Sequence, residues 1–159
     1  DRFEMYYDSV EGLSPRKKIR LRFYGDKNQL NKQKELLLEK KYTVFSGRSK
    51  ISKKVRDFDN QLKYGILDSK YGICYPRTVV SYLRSYYVCR DFRVTLDTNI
   101  NFKSFNSENS ILNSVSIDDI IIEIKTNDIT KADDLKKIFP FNEIRFSKYC
   151  KSIEHLYRI

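Results

Sequence analysis

Residues 18–24 read Lys-Ile-Arg-Leu-Arg-Phe-Tyr. Successive side chains of an extended strand point to opposite faces. Ile19, Leu21 and Phe23 therefore share one face, and Lys18, Arg20 and Arg22 the other. This alternation constrains the fold most, because it demands a sheet that is apolar on one side and charged on the other. Antiparallel sheets supply that arrangement, whereas parallel sheets are buried on both faces. Gly25-Asp26 ends the run.

The same period returns along the chain. Leu36–Val44 sets Glu39, Lys41 and Thr43 on one face. Ser49–Arg56 is a third strand, and the Ser46-Gly47 turn before it makes the pair a hairpin. In Thr78–Val88, Val80, Tyr82, Arg84 and Tyr86 take one face and Val79, Ser81, Leu83, Ser85 and Tyr87 the other. Phe92–Leu96 reads as a strand that ends in Asp97-Thr98-Asn99. In Asp119–Lys125, Ile120, Ile122 and Ile124 face away from Ile121, Glu123 and Lys125.

Two segments read as helices. Asp57–Ser69 spaces Phe58, Leu62 and Ile66 four apart, with Asp57 as cap. Thr130–Ile138 has Thr130 as cap and Asp133 three residues on, and Pro140 stops it. The Ser- and Asn-rich stretch 103–116 reads as a loop. The expected class is α+β: antiparallel strands flanked by two or three helices. The polar faces repeat Arg and Lys with an occasional Glu. Two architectures fit: a sheet with one solvated face, or a β-barrel with a basic interior and an apolar exterior covered by helices.

Charge is local. The 159 residues carry 31 Lys and Arg against 21 Asp and Glu, a net +10. Arg16–Arg56 alone holds 15 basic and 3 acidic residues, a net +12, so the remaining 118 sum to −2. A polyanion partner follows: nucleic acid, anionic lipid, nucleotide or inorganic phosphate. The length suits one domain, 1–159. No stretch approaches the ~20 apolar residues of a membrane span, and 14% aromatic residues argue against wholesale disorder. Three cysteines, Cys74, Cys89 and Cys150, form no disulfide framework or metal clip, which points to reduced thiols and a cytoplasmic setting. The one histidine, His155, has no partner pattern around it and reads as a surface or packing residue. No glycine-rich phosphate loop is present.

Several constellations suit phosphate chemistry. Arg20 and Arg22 project from one strand face about 7 Å apart, two residues of strand rise, a spacing that suits neighbouring phosphates. Glu39-x-Lys41 and Glu123-x-Lys125 each put a carboxylate beside an ammonium. Either is an ion pair across strands, or a ligand for a hard divalent cation next to phosphate-binding lysines. Tyr82-x-Arg84 and Arg93-x-Thr95-x-Asp97 repeat the theme, and Lys148 adds a cation near the end.

In order, KIRLRFYGD (18–26), LLLEKKY (36–42), Gly47-x-x-Lys50, YPRTVVSYLR (75–84), DFRVTLDTNI (91–100), IIEIK (121–125) and RFSKYC (145–150) resemble the blocks of the VTC domain. That domain is the polyphosphate-polymerase branch of the triphosphate tunnel metalloenzyme (CYTH-like) superfamily. The resemblance implies an antiparallel β-barrel forming a basic tunnel. It implies transfer of the terminal phosphoryl of ATP to inorganic polyphosphate, with Mn2+ or Mg2+ as cofactor. By the same resemblance Arg20, Arg22, Lys41, Lys50, Arg84, Arg93 and Lys148 hold phosphates, and Glu123 holds the metal. Family members open with a strand bearing a Glu-rich, Lys-containing motif, and this chain begins at what resembles their second strand, MYYDS (5–9). The opening lysine has no counterpart, so no catalytic residue is assigned and the chain reads as shortened at its N-terminus. The rivals are a triphosphatase of the same superfamily and a non-catalytic polyphosphate- or nucleic-acid-binding module. Specific nucleic-acid binding is not expected, because the cations alternate with aliphatic residues instead of exposed aromatics.

Overall fold

The computed structural model describes residues 3–25, 35–56, 58–105 and 113–159. The chain resolves into two compact units, Asp1–Arg77 with Phe105–Ser110, and Thr78–Ser104 with Ile111–Ile159. Strands are antiparallel throughout, and four helices accompany them among the described residues. The class is α+β, with more helix than the sequence pattern predicts.

The first unit contains α1 (Glu4–Val10), β1 (Arg16–Arg22), β2 (Leu36–Val44), β3 (Gly47–Val55), α2 (Phe58–Tyr64), β4 (Ile66–Asp68) and β5 (Gly72–Cys74). Its main sheet has the order β1-β2-β3, so β2 is the middle strand, and β2 and β3 form the expected hairpin. MYYDS is helical, not a strand. Two tyrosines in a row favour a strand locally, but tertiary anchors win. Tyr6 is buried, and the Asp8 carboxylate accepts hydrogen bonds from Lys70 Nζ (2.5 Å) and Tyr71 Oη (2.6 Å). Lys17 on β1 donates its backbone N–H to Tyr71 Oη and its ammonium to Asp68 (3.0 Å), joining β1 to the β4–β5 hairpin.

The helix expected over Asp57–Ser69 stops at Tyr64. Gly65 has φ 79°, a region that side chains with Cβ rarely enter, and a Cβ there would lie 2.7 Å from Ile73 Cγ2. Ile66 then pairs with Cys74 instead of completing the helical stripe. The expected cap, Asp57, lies outside the described residues.

The second unit contains β6 (Thr78–Cys89), β7 (Phe92–Ser104), β8 (Ser114–Ile117), β9 (Ile121–Lys125), α3 (Ile129–Ile138) and α4 (Lys148–Tyr157). β7 pairs with β6 along its length, with β8 through Ile100–Lys103 and with β9 through Arg93–Asp97. It therefore runs straight through Asp97-Thr98-Asn99, where a strand end was expected. Lys103, Ser104 and Ser114–Ile117 are likewise strand, not loop. Asp128, not Thr130, caps α3: its carboxylate accepts from Thr130 N (3.0 Å).

The core of this unit gathers Ile100, Phe102 and Leu156, with Val80, Tyr82, Val115, Ile117, Ile121 and Tyr157 packed around them. α4 supplies that lid, burying Cys150, Ile153 and Leu156 at a spacing of three, and Ser147 caps it by accepting from Cys150 N (3.3 Å). His155 is exposed, with its ring 5.9 Å from that of Phe102. The three cysteines are free thiols. Among the described residues no helix is long and apolar enough to cross a membrane.

Candidate phosphate-binding faces

The register of the first sheet sorts its side chains into rows. Arg16 lies opposite Thr43 and Arg48, Lys18 opposite Lys41 and Lys50, Arg20 opposite Glu39 and Ser52, and Arg22 opposite Leu37 and Lys54. Partners across an antiparallel ladder share a face. One face of nine-residue β2 and its neighbours thus carries eight cations and a single acid, Glu39. All four residues expected here, Arg20, Arg22, Lys41 and Lys50, stand on it.

Glu39 is only 2% exposed and organises that face. It accepts a hydrogen bond from Arg20 Nε, another from Lys50 Nζ at 3.0 Å and a longer one from Ser52 Oγ at 3.4 Å, while Arg22 Nε sits 3.7 Å away. Burial alone would raise its pKa. The hydrogen bonds from Lys50 and Arg20, with the charges of Arg20 and Arg22, outweigh it and pull the carboxyl from an ordinary 4.5 to about 2. Arg22 also donates to Tyr24 Oη at 2.7 Å.

The second unit repeats the plan with other residues. Arg84 lies opposite Asp97, which lies opposite Ile121; Tyr86 lies opposite Thr95 and then Glu123; Val88 lies opposite Arg93 and then Lys125. Arg84, Arg93 and Glu123 therefore share one sheet face, and Lys148 comes to it from the first turn of α4. The acid here is Asp97, fully buried. Arg84 grips it with both ends of a fork, Nε to Oδ1 at 2.5 Å and Nη2 to Oδ2 at 2.6 Å, and Lys148 Nζ donates to the same Oδ2. Tyr82 lies beneath both cations, its ring centre 5.2 Å from the Arg84 guanidinium and 4.7 Å from the Lys148 ammonium. Burial pushes Asp97 up, but the Arg84 and Lys148 hydrogen bonds hold it below the usual carboxylate range, and Asp97 in turn raises Arg84.

Glu123 differs from the two buried acids. Its side chain is 44% exposed, with Lys125 Nζ at 3.0 Å and Arg84 Nη2 at 3.8 Å. Burial acts to raise its pKa, and the Lys125 hydrogen bond and the surrounding cations lower it further than burial raises it. It stays ionised and reachable from solvent. Arg93 is exposed at the end of the face, beside a cavity of about 290 Å³ that Arg90, Asp91, Phe92, Thr126, Asn127, Asp128 and Lys131 also line.

The VTC domain profile matches residues 1–64 and 53–157 of this chain. The chain belongs to the VTC domain family. No curated protein matches it.

Within this VTC domain, reading the sequence found the cations and missed the weight of the acids. Glu39 was legible as one half of a Glu-x-Lys pair. Asp97 was legible as the end of Arg93-x-Thr95-x-Asp97 and as part of a turn-like Asp-Thr-Asn, but not as the acid on which two of the expected cations converge. Lys18, Arg48 and Lys54 also join the first face: Lys18 alternates with Ile19 and Leu21 on β1, and Arg48 and Lys54 alternate with Ile51, Lys53 and Val55 on β3.

Proposed function

We propose that this VTC domain binds inorganic polyphosphate and nucleoside triphosphate on its basic sheet faces and transfers the terminal phosphoryl of ATP to a polyphosphate chain. Membership of the family ties the chain to polyphosphate polymerase-related function. The observation that carries the proposal further is the organisation of each face: Arg20, Arg22 and Lys50 converge on the buried Glu39, and Arg84 and Lys148 on the buried Asp97. A general electrostatic patch needs no such order. A site that must hold tetrahedral phosphates in register does.

In this reading Arg20, Arg22, Lys41 and Lys50 hold phosphates on the first face, and Arg84, Arg93 and Lys148 on the second. The strands close into a barrel with a basic interior, in a cytoplasmic setting where ATP and free thiols coexist. Phosphoryl transfer asks little covalent chemistry of a protein; it needs positioning and neutralisation of charge on the transferring group. The guanidiniums fork onto phosphate oxygens and set their spacing. A walled basic interior excludes water, which favours phosphate over water as acceptor.

Glu123 fits a hard divalent cation, Mn2+ or Mg2+. Such ions take oxygen ligands and complete their shell with water and substrate phosphate, so one ionised, accessible carboxylate suffices. Bound there, the ion would neutralise charge on the donor's phosphate oxygens. On the same face Asp97 is already committed to Arg84 and Lys148. That scarcity of accessible carboxylates favours polymerase over triphosphatase, whose chemistry calls for paired acids.

Incubating the chain with ATP and Mn2+, then staining a gel for polyphosphate, tests this. A ladder of polyphosphate is expected. Release of free phosphate without polymer would make the domain a triphosphatase. Neither product, with tripolyphosphate still bound, would make it a binding module.

A further inference from the structure

We propose that Asp97 is a positioning residue, which fixes the edge of Arg84 and the ammonium of Lys148 that a phosphate meets; the proposal rests on phosphate binding at this face. Asp97 sits on β7, Arg84 on β6 and Lys148 on α4, so one carboxylate joins three elements. The two cations it joins would otherwise repel one another across an apolar floor. Both stand over the Tyr82 ring, close to the buried Ile100–Phe102 cluster.

The geometry sets which donors remain. A guanidinium offers five N–H groups in a rigid plane. Asp97 takes the Nε–Nη2 edge of Arg84 with both its oxygens. The Nη1–Nη2 edge is then the one left for an incoming phosphate, with Glu123 Oε2 3.8 Å from Nη2 beside it. The Lys148 ammonium has three donors and gives one to Oδ2 of the same carboxylate. The shared acceptor therefore ties two cations to one fixed point, and the phosphate they meet is positioned by a group it never touches. Preformed donors lose less freedom on binding than mobile ones, which is where the gain in affinity arises.

Simple electrostatics predicts the reverse. Asp97 is an anion in a site for anions, so removing its charge would strengthen binding if charge alone mattered. Asp97→Asn separates the two, because it raises the net charge by one and leaves only a single oxygen for the fork. Tripolyphosphate affinity, measured by calorimetry on the whole chain at fixed salt, should fall about ten-fold. Equal or tighter binding would overturn the proposal.

Arg84→Lys is the second variant, for the case that Asp97→Asn does not fold. It keeps every formal charge and removes the fork, and it should also bind about ten-fold more weakly; wild-type affinity would overturn the proposal. The double variant should bind no more weakly than the worse single one, since both changes break one arrangement, and additive losses would count against it. A purely structural Asp97 would lower the melting temperature and leave the affinity of the folded fraction unchanged. A wild-type chain that binds no tripolyphosphate would overturn both this proposal and the functional reading beneath it, whereas binding that is indifferent to Asp97 overturns the positioning role alone.

Discussion

Glu39 is a carboxylate that three cations reach, on the middle strand of the first sheet. Its pKa is held at about 2 against an ordinary 4.5. A group depressed in this way adds stability that is complete above its unfolded value and is lost as pH falls through its folded value. The window is therefore about pH 4.5 down to 2. Asp8, Asp68 and Asp97 are depressed as well and act in the same direction. The melting temperature should stay level from neutral pH to about 5 and then drop steeply, which a pH series of thermal melts checks. Glu39→Gln should lower stability at neutral pH by on the order of 3 kcal/mol, because it leaves Arg20 and Lys50 without their counter-charge. That deficit should shrink towards pH 2, where about half of the wild-type carboxyl is protonated. A constant deficit across the series would mean that packing, not charge, is what Glu39 supplies. At this scale much was legible. Strand parity paired Arg20 with Arg22 and Glu39 with Lys41 from the letters alone, the family resemblance added Lys50, and the strand register brings them to one face. Parity could not say which acid is buried, since burial depends on what the other strands bring.

The decisive element is β7, and its phase explains what the sequence pattern concealed. Ser81 lies opposite Asn101, yet Leu83 lies opposite Thr98, so β7 holds one residue more than β6 at this point. Asn99, with φ 51°, is the extra residue. Without it, Asp97 and Ile100 would stand on opposite faces. With it, Arg93, Thr95 and Asp97 share a face with Ile100 and Phe102, and one strand presents core at one end and charge at the other. Asp-Thr-Asn looks like a turn because residues that tolerate a left-handed backbone serve turns and bulges alike. Asn99→Gly should therefore leave melting temperature and tripolyphosphate affinity near wild type. Asn99→Val should cost about 1–2 kcal/mol of stability, the penalty for a β-branched side chain in that conformation. Equal stability of the two variants would show that the bulge does not depend on the residue's conformation. α4 escaped notice for a different reason. Its apolar residues, Cys150, Ile153 and Leu156, recur every third residue between Lys151, Glu154 and His155, a regular stripe that packs on the Ile100–Phe102 surface and that the alternating pattern of the preceding strands overshadowed.

Across the whole molecule the charge is uneven. By sequence, Asp1–Arg77 with Phe105–Ser110 carries 19 basic and 11 acidic residues, a net +8, and the other unit carries 12 and 10, a net +2. The division between units was not visible in the letters, because no glycine- or proline-rich linker marks it. Affinity for a polyanion has two sources here, the diffuse field of the chain and the ordered contacts of the faces, and salt separates them. A linear polyanion releases condensed counterions for each cation that touches it, so the slope of log affinity against log salt counts contacts. Arg22→Ala should weaken tripolyphosphate binding by about 1.5–3 kcal/mol, the range for a hydrogen bond to a charged group, and flatten the slope measured with long polyphosphate by about one. Lys137→Gln removes the same single charge from an exposed position on α3, where the lysine pairs with Asp134 at 3.0 Å. If only net charge matters, the two variants should behave alike. If the faces do the binding, Lys137→Gln should leave both affinity and slope at their wild-type values. Titrations of both variants at four salt concentrations decide between these, and matched losses would refute ordered binding on the first face.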